Sequence, residues 1–203
     1  MSMSAQDRER ISAAIRAAEA TTSGEIVCVL AQTSSDATGL PILLAALAAL
    51  ALPWLLVAFT AMPVARILLF QIIAFVALAV ALCLPGVRVA LVPRAIRRAL
   101  AHRAAMEQFM IRGIASKKDR TGILVFVSLA ERYARIIADE GIAARVPQSE
   151  WQSGVDALVA HMSGGRIADG FIAAIETCGR VLASHFPRSA ANRDELPDRI
   201  FLV

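Results

Sequence analysis

Apolar and polar positions alternate with three different periods along the chain, and each period predicts a different kind of element. Near the start, "DRERISAAIRAAEA" sets Ile11 and Ile15 four residues apart among alanines, with Arg8, Arg10, Arg16 and Glu19 on the remaining surface. That spacing predicts an amphipathic helix. "TTSGEIVCVLAQTSS" follows with a turn at Ser23-Gly24 and a β-branched run from Ile26 to Ala31, which predicts a strand. A helix and one strand bury too little to stand alone, so this strand must pair with a later segment.

The second period is no period at all. From Gly39 to Thr60 the chain carries no charged residue for 22 positions, a length of about 33 Å as a helix at about 1.5 Å per residue. From Ile67 to Val87 it does so again for 21 positions, with Gln71 as the strongly polar exception. Only "AMPVAR" separates them, a connection suited to antiparallel neighbours. The prediction is a two-helix transmembrane hairpin with spans at about 39–60 and 67–87. Pro53 lies mid-span and removes one backbone hydrogen bond, so the second helix is expected to pack there. Pro41 sits in a first turn, where proline is tolerated.

Beyond the hairpin, helical spacing returns. "RAIRRALAHRAAMEQFMIRGI" places Ile96, Leu100, Phe109 and Met110 among strong helix formers, and its basic first half is expected at a membrane surface. "TGILVFVS" and "RYARIIAD", joined by "LAER", are predicted strands; the first is apolar on both faces and belongs at the centre of a sheet. "PQSEWQSGVDALVAHMS" predicts a helix capped by Ser149, with Trp151, Val155, Leu158 and Val159 near one face. "GGRIADGFIAAIETCGRVLASHF" predicts a longer one with Ile167, Phe171, Ile175 and Leu182 as its stripe, ended near Pro187. The tail "ELPDRIFLV" adds a last short strand. The order α-β-hairpin-α-β-β-α-α predicts an α/β fold with a small central sheet, built from residues 1–38 and 93–203 and interrupted by the hairpin within 39–92. An insertion whose ends return close together is tolerated at a surface loop.

Composition agrees with a membrane protein. Of 203 residues, 57% are hydrophobic and 19% charged, the mean hydropathy is +0.60, and soluble domains are usually about 45–50% apolar. The net charge of +4 comes with no aromatic-basic pattern of a nucleic-acid reader, so none is expected as a partner. Arginines instead cluster after the second span: Arg88, Arg94, Arg97, Arg98 and Arg103, against Arg66 in the connection and no Lys or Arg in residues 19–38. Cations near a span stay on the cytoplasmic side, which predicts both termini there. Residues 1–20 show no apolar signal-peptide core. Cys28, Cys83 and Cys178 have no ligand or disulfide spacing and are expected to be packing residues.

Candidate chemistry gathers around the predicted strand ends. Glu25, Asp119, Glu131, Asp139 and Glu140 offer oxygen ligands for a hard divalent cation, Ca²⁺ or Mg²⁺, with Arg120 and Arg135 placed to hold phosphate. The competing explanation is that charge marks the ends of buried strands and pairs locally. His102, His161 and His185 stand alone, no catalytic residue is identified, and "MSGGR" at 162–166 offers either backbone amides to an anion or a plain turn.

"SGEIVCVL" after a helix, "DRTGILVFVSLAERYARIIADEGI", the tryptophan of "SEWQSGVDAL", and "HFP" followed by "DELPD" together resemble the TPM domain family, of thylakoid, photosystem-repair and receptor-modulator type. The resemblance spans residues 5–40 and 95–203 and is most similar to the bacterial membrane-protein branch. It implies a three-layer α/β/α sandwich. Family members are associated with assembly or repair of membrane complexes, and some plant members with acid phosphatase activity or calcium binding. The expectation is therefore a multi-pass protein of the bacterial inner membrane that binds the bilayer and another membrane protein without strong catalysis. The alternative is a metal-assisted phosphomonoester hydrolase.

Overall fold

The computed structural model describes residues 3–34, 39–84, 87, 92–116, 119–188 and 196–203. Two compact units emerge, Met1–Ser34 with Ala101–Val203, and Ser35–Leu100.

The first unit is built on four strands: β1 (Glu25–Ala31), β2 (Gly122–Ser128), β3 (Tyr133–Ala138) and β4 (Ile200–Leu202). Their order is β3-β2-β1-β4, with β1 parallel to both β2 and β4, and β2 antiparallel to β3. Every residue of β1 and of β2 is buried, as strands covered on both faces require. The strand from before the hairpin pairs along its whole length with the strand from after it, Glu25 opposite Gly122 through Ala31 opposite Ser128.

Alternation sorts the strand side chains into two cores. On one face Ile26, Cys28, Leu30, Ile123, Val125 and Val127 pack with α1 (Ala5–Glu19) and the last long helix (Ile167–His185) through Ile11, Ile15, Phe171, Ile175 and Leu182. On the other, Val27, Val29, Leu124 and Phe126 pack with Ala105 and Phe109 of the helix at Arg94–Ile111 and with Ile114 of the 3-10 turn behind it. Helices therefore cover both faces of a small central sheet, a three-layer α/β/α arrangement.

The hairpin region contains α2 (Gly39–Phe59) and α3 (Val64–Cys83), which makes the helix at Arg94–Ile111 α4. α2 continues through Pro53, which is half-buried. α3 starts three residues earlier than its apolar run, with Pro63 as cap residue, because proline's fixed φ suits a helix entrance and its missing N–H costs nothing there. Arg66 thus lies in the first turn of α3 and the connection is shorter than "AMPVAR". The two helices pack on each other, and Pro41, Ala45 and Ala49 of α2 and Ile67 of α3 are buried. Residues 85 and 86 of the second run, and Arg88, lie outside the described residues.

Two local expectations need correction. A short helix, α5 (Glu140–Ala143), follows β3, and a 3-10 turn over Gln148–Trp151 precedes α6 (Gln152–Ser163). Ser149 sits inside that turn, whose cap residue is Pro147 with no side-chain hydrogen bond, so Ser149 caps nothing. Val159 is 47% exposed while Trp151 and Leu158 are buried, because Leu158 and Val159 are adjacent on one α-helix and stand about 100° apart around it. The long helix Ile167–His185 is α7. Among the residues quoted for the family resemblance, Asp194 and Glu195 lie outside the described residues.

Candidate functional site

The acidic candidates divide between opposite ends of the sheet. Glu25 opens β1 and Glu131 follows β2, whose strand runs parallel to β1. Seven residues of strand separate the two ends by about 20 Å at about 3.3 Å per residue. They cannot share one cation.

At the end where β1 begins, Glu25, Gly122 and Asp139 lie side by side. Glu25 is paired in register with Gly122, and the Asp139 backbone N–H donates to the Gly122 carbonyl at 2.9 Å. Strand alternation aims both carboxylates to the same face, on either side of a residue with no side chain. The space above Gly122 belongs to Ile114: a Cβ added at Gly122 would meet Ile114 Cγ2 at 2.4 Å. Glu25 and Asp139 are both buried. Asp139 is also the cap residue of α5, its Oδ1 accepting from the Glu140 N–H at 2.7 Å, while its Oδ2 is buried without a hydrogen-bond partner.

Outside this buried pair the neighbouring candidates neutralise each other. Arg120 Nη1 donates to Glu140 Oε2 at 2.6 Å, both side chains more than half exposed. Such a surface pair contributes little to stability, but it engages one proposed phosphate holder with one proposed metal ligand. Asp119 is exposed. Arg120 adopts a φ of 49°, and the chain there runs so close to α5 that a Cβ on Gly141 would stand 2.5 Å from the Arg120 carbonyl oxygen. The loops at 119–121 and 139–141 are fitted to one another through that glycine.

At the far end, Glu131 is buried and surrounded by donors. Thr33 Oγ1 donates to its Oε1 at 3.2 Å, the Ser34 N–H to its Oε2 at 3.0 Å, and the Ser128 hydroxyl also donates to Oε2. Nearby backbone pairing continues past the strands, Leu129 N–H to the Ala31 carbonyl and Ala130 N–H to that of Gln32. The carboxylate staples the exits of β1 and β2 together, because charged acceptors make the stronger hydrogen bonds. Thr33, Ser34 and Ser128 were missed by sequence reasoning; the only signal was their ordinary polar character.

Arg135 stands apart from Arg120, on β3 opposite Phe126. It lines a cavity with His102, whose Nδ1 lies 3.3 Å from the Tyr133 hydroxyl. At "MSGGR" the chain forms a turn, and the first turn of α7 contains Asp169, which accepts from Arg10 Nη2 at 2.7 Å. That hydrogen bond, more than the charge behind it, holds the Asp169 carboxyl below the usual aspartate range. A carboxylate already occupies this helix entrance, as the dipole favours.

Cys28 and Cys178 are buried; burial pushes Cys178 up to about 12, and Cys28 well above its ordinary value, with Cys178 and Glu19 adding to the rise. Among the described residues no three His, Cys, Asp or Glu side chains gather as a metal-holding group. Glu131 is committed to three protein donors, Glu140 to Arg120, and Ile114 covers the gap between Glu25 and Asp139.

Comparison with known proteins matches this architecture. The NMR structure of BA42 protein from the psychrophilic bacterium Bizionia argentinensis is similar over 100% of this chain and 97% of that chain, with a TM-score of 0.63 and 21% identity, which is a likeness of fold. No curated protein matches. The family model described as TPM domain matches residues 85–181, the stretch that supplies α4, β2, β3 and most of α7. The chain therefore contains a TPM domain.

Proposed function

We propose that α2 and α3 embed in a bacterial inner membrane, and that the TPM domain they interrupt serves at the membrane face as an interaction and assembly module for another membrane protein rather than as a catalyst. One observation carries the membrane half of this proposal. Two helices of mean hydropathy 2.6 and 2.5 hold only 11% and 6% of their most apolar windows buried, with Leu47, Trp54, Phe59 and Ile72 all more than half exposed. Moving each such side chain out of water is worth about 1.5–3 kcal/mol, so these four alone favour hydrocarbon over water by up to about 6–12 kcal/mol. Arg94, Arg97, Arg98 and Arg103 after the second helix, against Arg66 in the first turn of α3, favour cytoplasmic termini.

The binding half is supported by how the rim spends its charges. Glu131, Glu140 and Arg120 are taken by partners in the chain itself, which suits a shaped surface better than a turnover site. Full-length protein expressed in a bacterium provides the test. It should resist alkaline carbonate extraction, reporters fused at the two ends should both register the cytoplasm, and photo-crosslinkers at Asp119 or Glu140 should capture a discrete membrane protein. Release into the supernatant, or ends on opposite sides, sinks the membrane assignment. Phosphomonoester turnover with Ca²⁺ or Mg²⁺ that disappears in a folded Asp139→Asn or Glu25→Gln protein replaces the binding module with the hydrolase.

A further inference from the structure

The β3 edge carries a cavity of about 360 Å³, and no acid is among the described residues that line it. Its volume falls in the range of small-molecule pockets, about 300–1,000 Å³. Met106 from α4, Ile137 from β3 and Val146 form an apolar floor, and Trp151, almost wholly buried, closes it behind. Three polar groups stand on the walls: Arg135, His102 and Gln148. Gln148 Nε2 donates to the Ile136 carbonyl at 3.2 Å, which leaves its Oε1 as an acceptor. His102 is tied through Nδ1 to Tyr133, so its Nε2 is the ring nitrogen not engaged there.

Arg135 is the informative member. It is half-buried on the face of the sheet that α4 covers, and among the described residues no carboxylate pairs with it. A partly desolvated guanidinium is costly until an anion joins it, and its planar fork takes a carboxylate or phosphate through two parallel hydrogen bonds. We propose that this cavity binds a small organic anion, an apolar body bearing one carboxylate or phosphate group, with Arg135 on the anionic group, His102 beside it and Met106, Ile137 and Val146 against the body. Its lining includes Ala138 and Ala143, which flank Asp139 and Glu140 in the chain, but neither of those carboxylates is among the lining residues, and the site does not depend on the membrane assignment.

Benzoate and phenyl phosphate are the probes, with benzyl alcohol and inorganic phosphate as their half-ligand controls. Full-length protein in detergent micelles, carrying ¹³C-methyl methionine, is titrated with each. The Met106 methyl signal should shift saturably with at least one of the two anions, and roughly tenfold more weakly with either control. Saturation by phenyl phosphate alone assigns a phosphate ester, by benzoate alone a carboxylate, and both results support the site. Arg135→Met should weaken binding by tenfold or more, whereas Arg16→Met, at a residue paired with Glu9 on α1, should leave it unchanged. The proposal is overturned if Met106 shows no saturable shift into the tens of millimolar, if benzyl alcohol binds as well as the anions, or if Arg135→Met binds like the parent. Should Arg135→Met fail to fold, the contrast between anion and alcohol in the parent protein decides alone.

Discussion

β1 and β2 on one side, α2 and α3 on the other, are the most apolar stretches of this chain, yet they meet opposite fates. Every residue of the two strands is buried by protein. The two helices, long enough to cross a bilayer, leave most of their side chains uncovered. The difference teaches that hydropathy measures a demand to leave water and says nothing of what satisfies it. A strand cannot satisfy its backbone alone, so apolar strands must find neighbours and become a core. A helix satisfies its backbone internally, so apolar helices are free to take lipid as their solvent.

Deleting the same ring from each region is the hardest test of that contrast. Phe126→Ala, at a fully buried position of β2, should cost the domain about 3–5 kcal/mol in urea unfolding of the full chain in micelles. Phe59→Ala, at a side chain 83% exposed, should leave the same transition unmoved. Equal losses would mean that the helix surface is a protein core after all. Next in size, Leu50→Arg near the middle of α2 should oppose insertion by about 2.5–3.5 kcal/mol, read as the fraction of chain recovered with membranes, while the domain's own unfolding stays as before.

Within the domain, the two ends of the sheet can be set against each other. Glu131→Gln turns an acceptor toward donors from Thr33, Ser34 and Ser128 into a donor itself, and should cost about 1–3 kcal/mol. Glu140→Gln, at a side chain 79% exposed, should stay within about 0.5 kcal/mol. The smallest effect is a titration. Because hydrogen bonding to Arg10 depresses the Asp169 carboxyl, the pair's contribution is present above the ordinary aspartate value of 3.8 and is lost as pH falls through the lower folded value. In Arg10→Met, carboxyl-carbon NMR should show Asp169 returning toward 3.8; an unchanged titration would mean that Arg10 is not the cause.

The elements were legible where one physical demand ruled the whole segment. "TGILVFVS" has nowhere to put a polar face and became a central strand, and 22 uncharged residues from Gly39 became a helix of membrane length. Legibility failed where a short local geometry intervened. The 3-10 turn before α6 stripped Ser149 of its cap role, Val159 falls one position off the buried stripe of α6, and the four-residue α5 was too short to carry a periodic signal. The rim was legible as a list of charges but not as an arrangement. Glu131 takes its donor from Thr33, 98 positions away, and no local pattern reports such a distance. Nor does sequence show that Gly122 lies between Glu25 and Asp139, since that follows from strand register.

The order of the longer elements, the demand of each apolar run to leave water and the family of the domain are written in the residues themselves, because they follow from composition and short-range spacing. Which carboxylates face each other, which are consumed by their own protein, and that Arg135 lines a cavity with no acid paired to it among the described residues were decided only on folding. Those properties depend on pairings between strands far apart in the chain, and it is register, not residue type, that sets them.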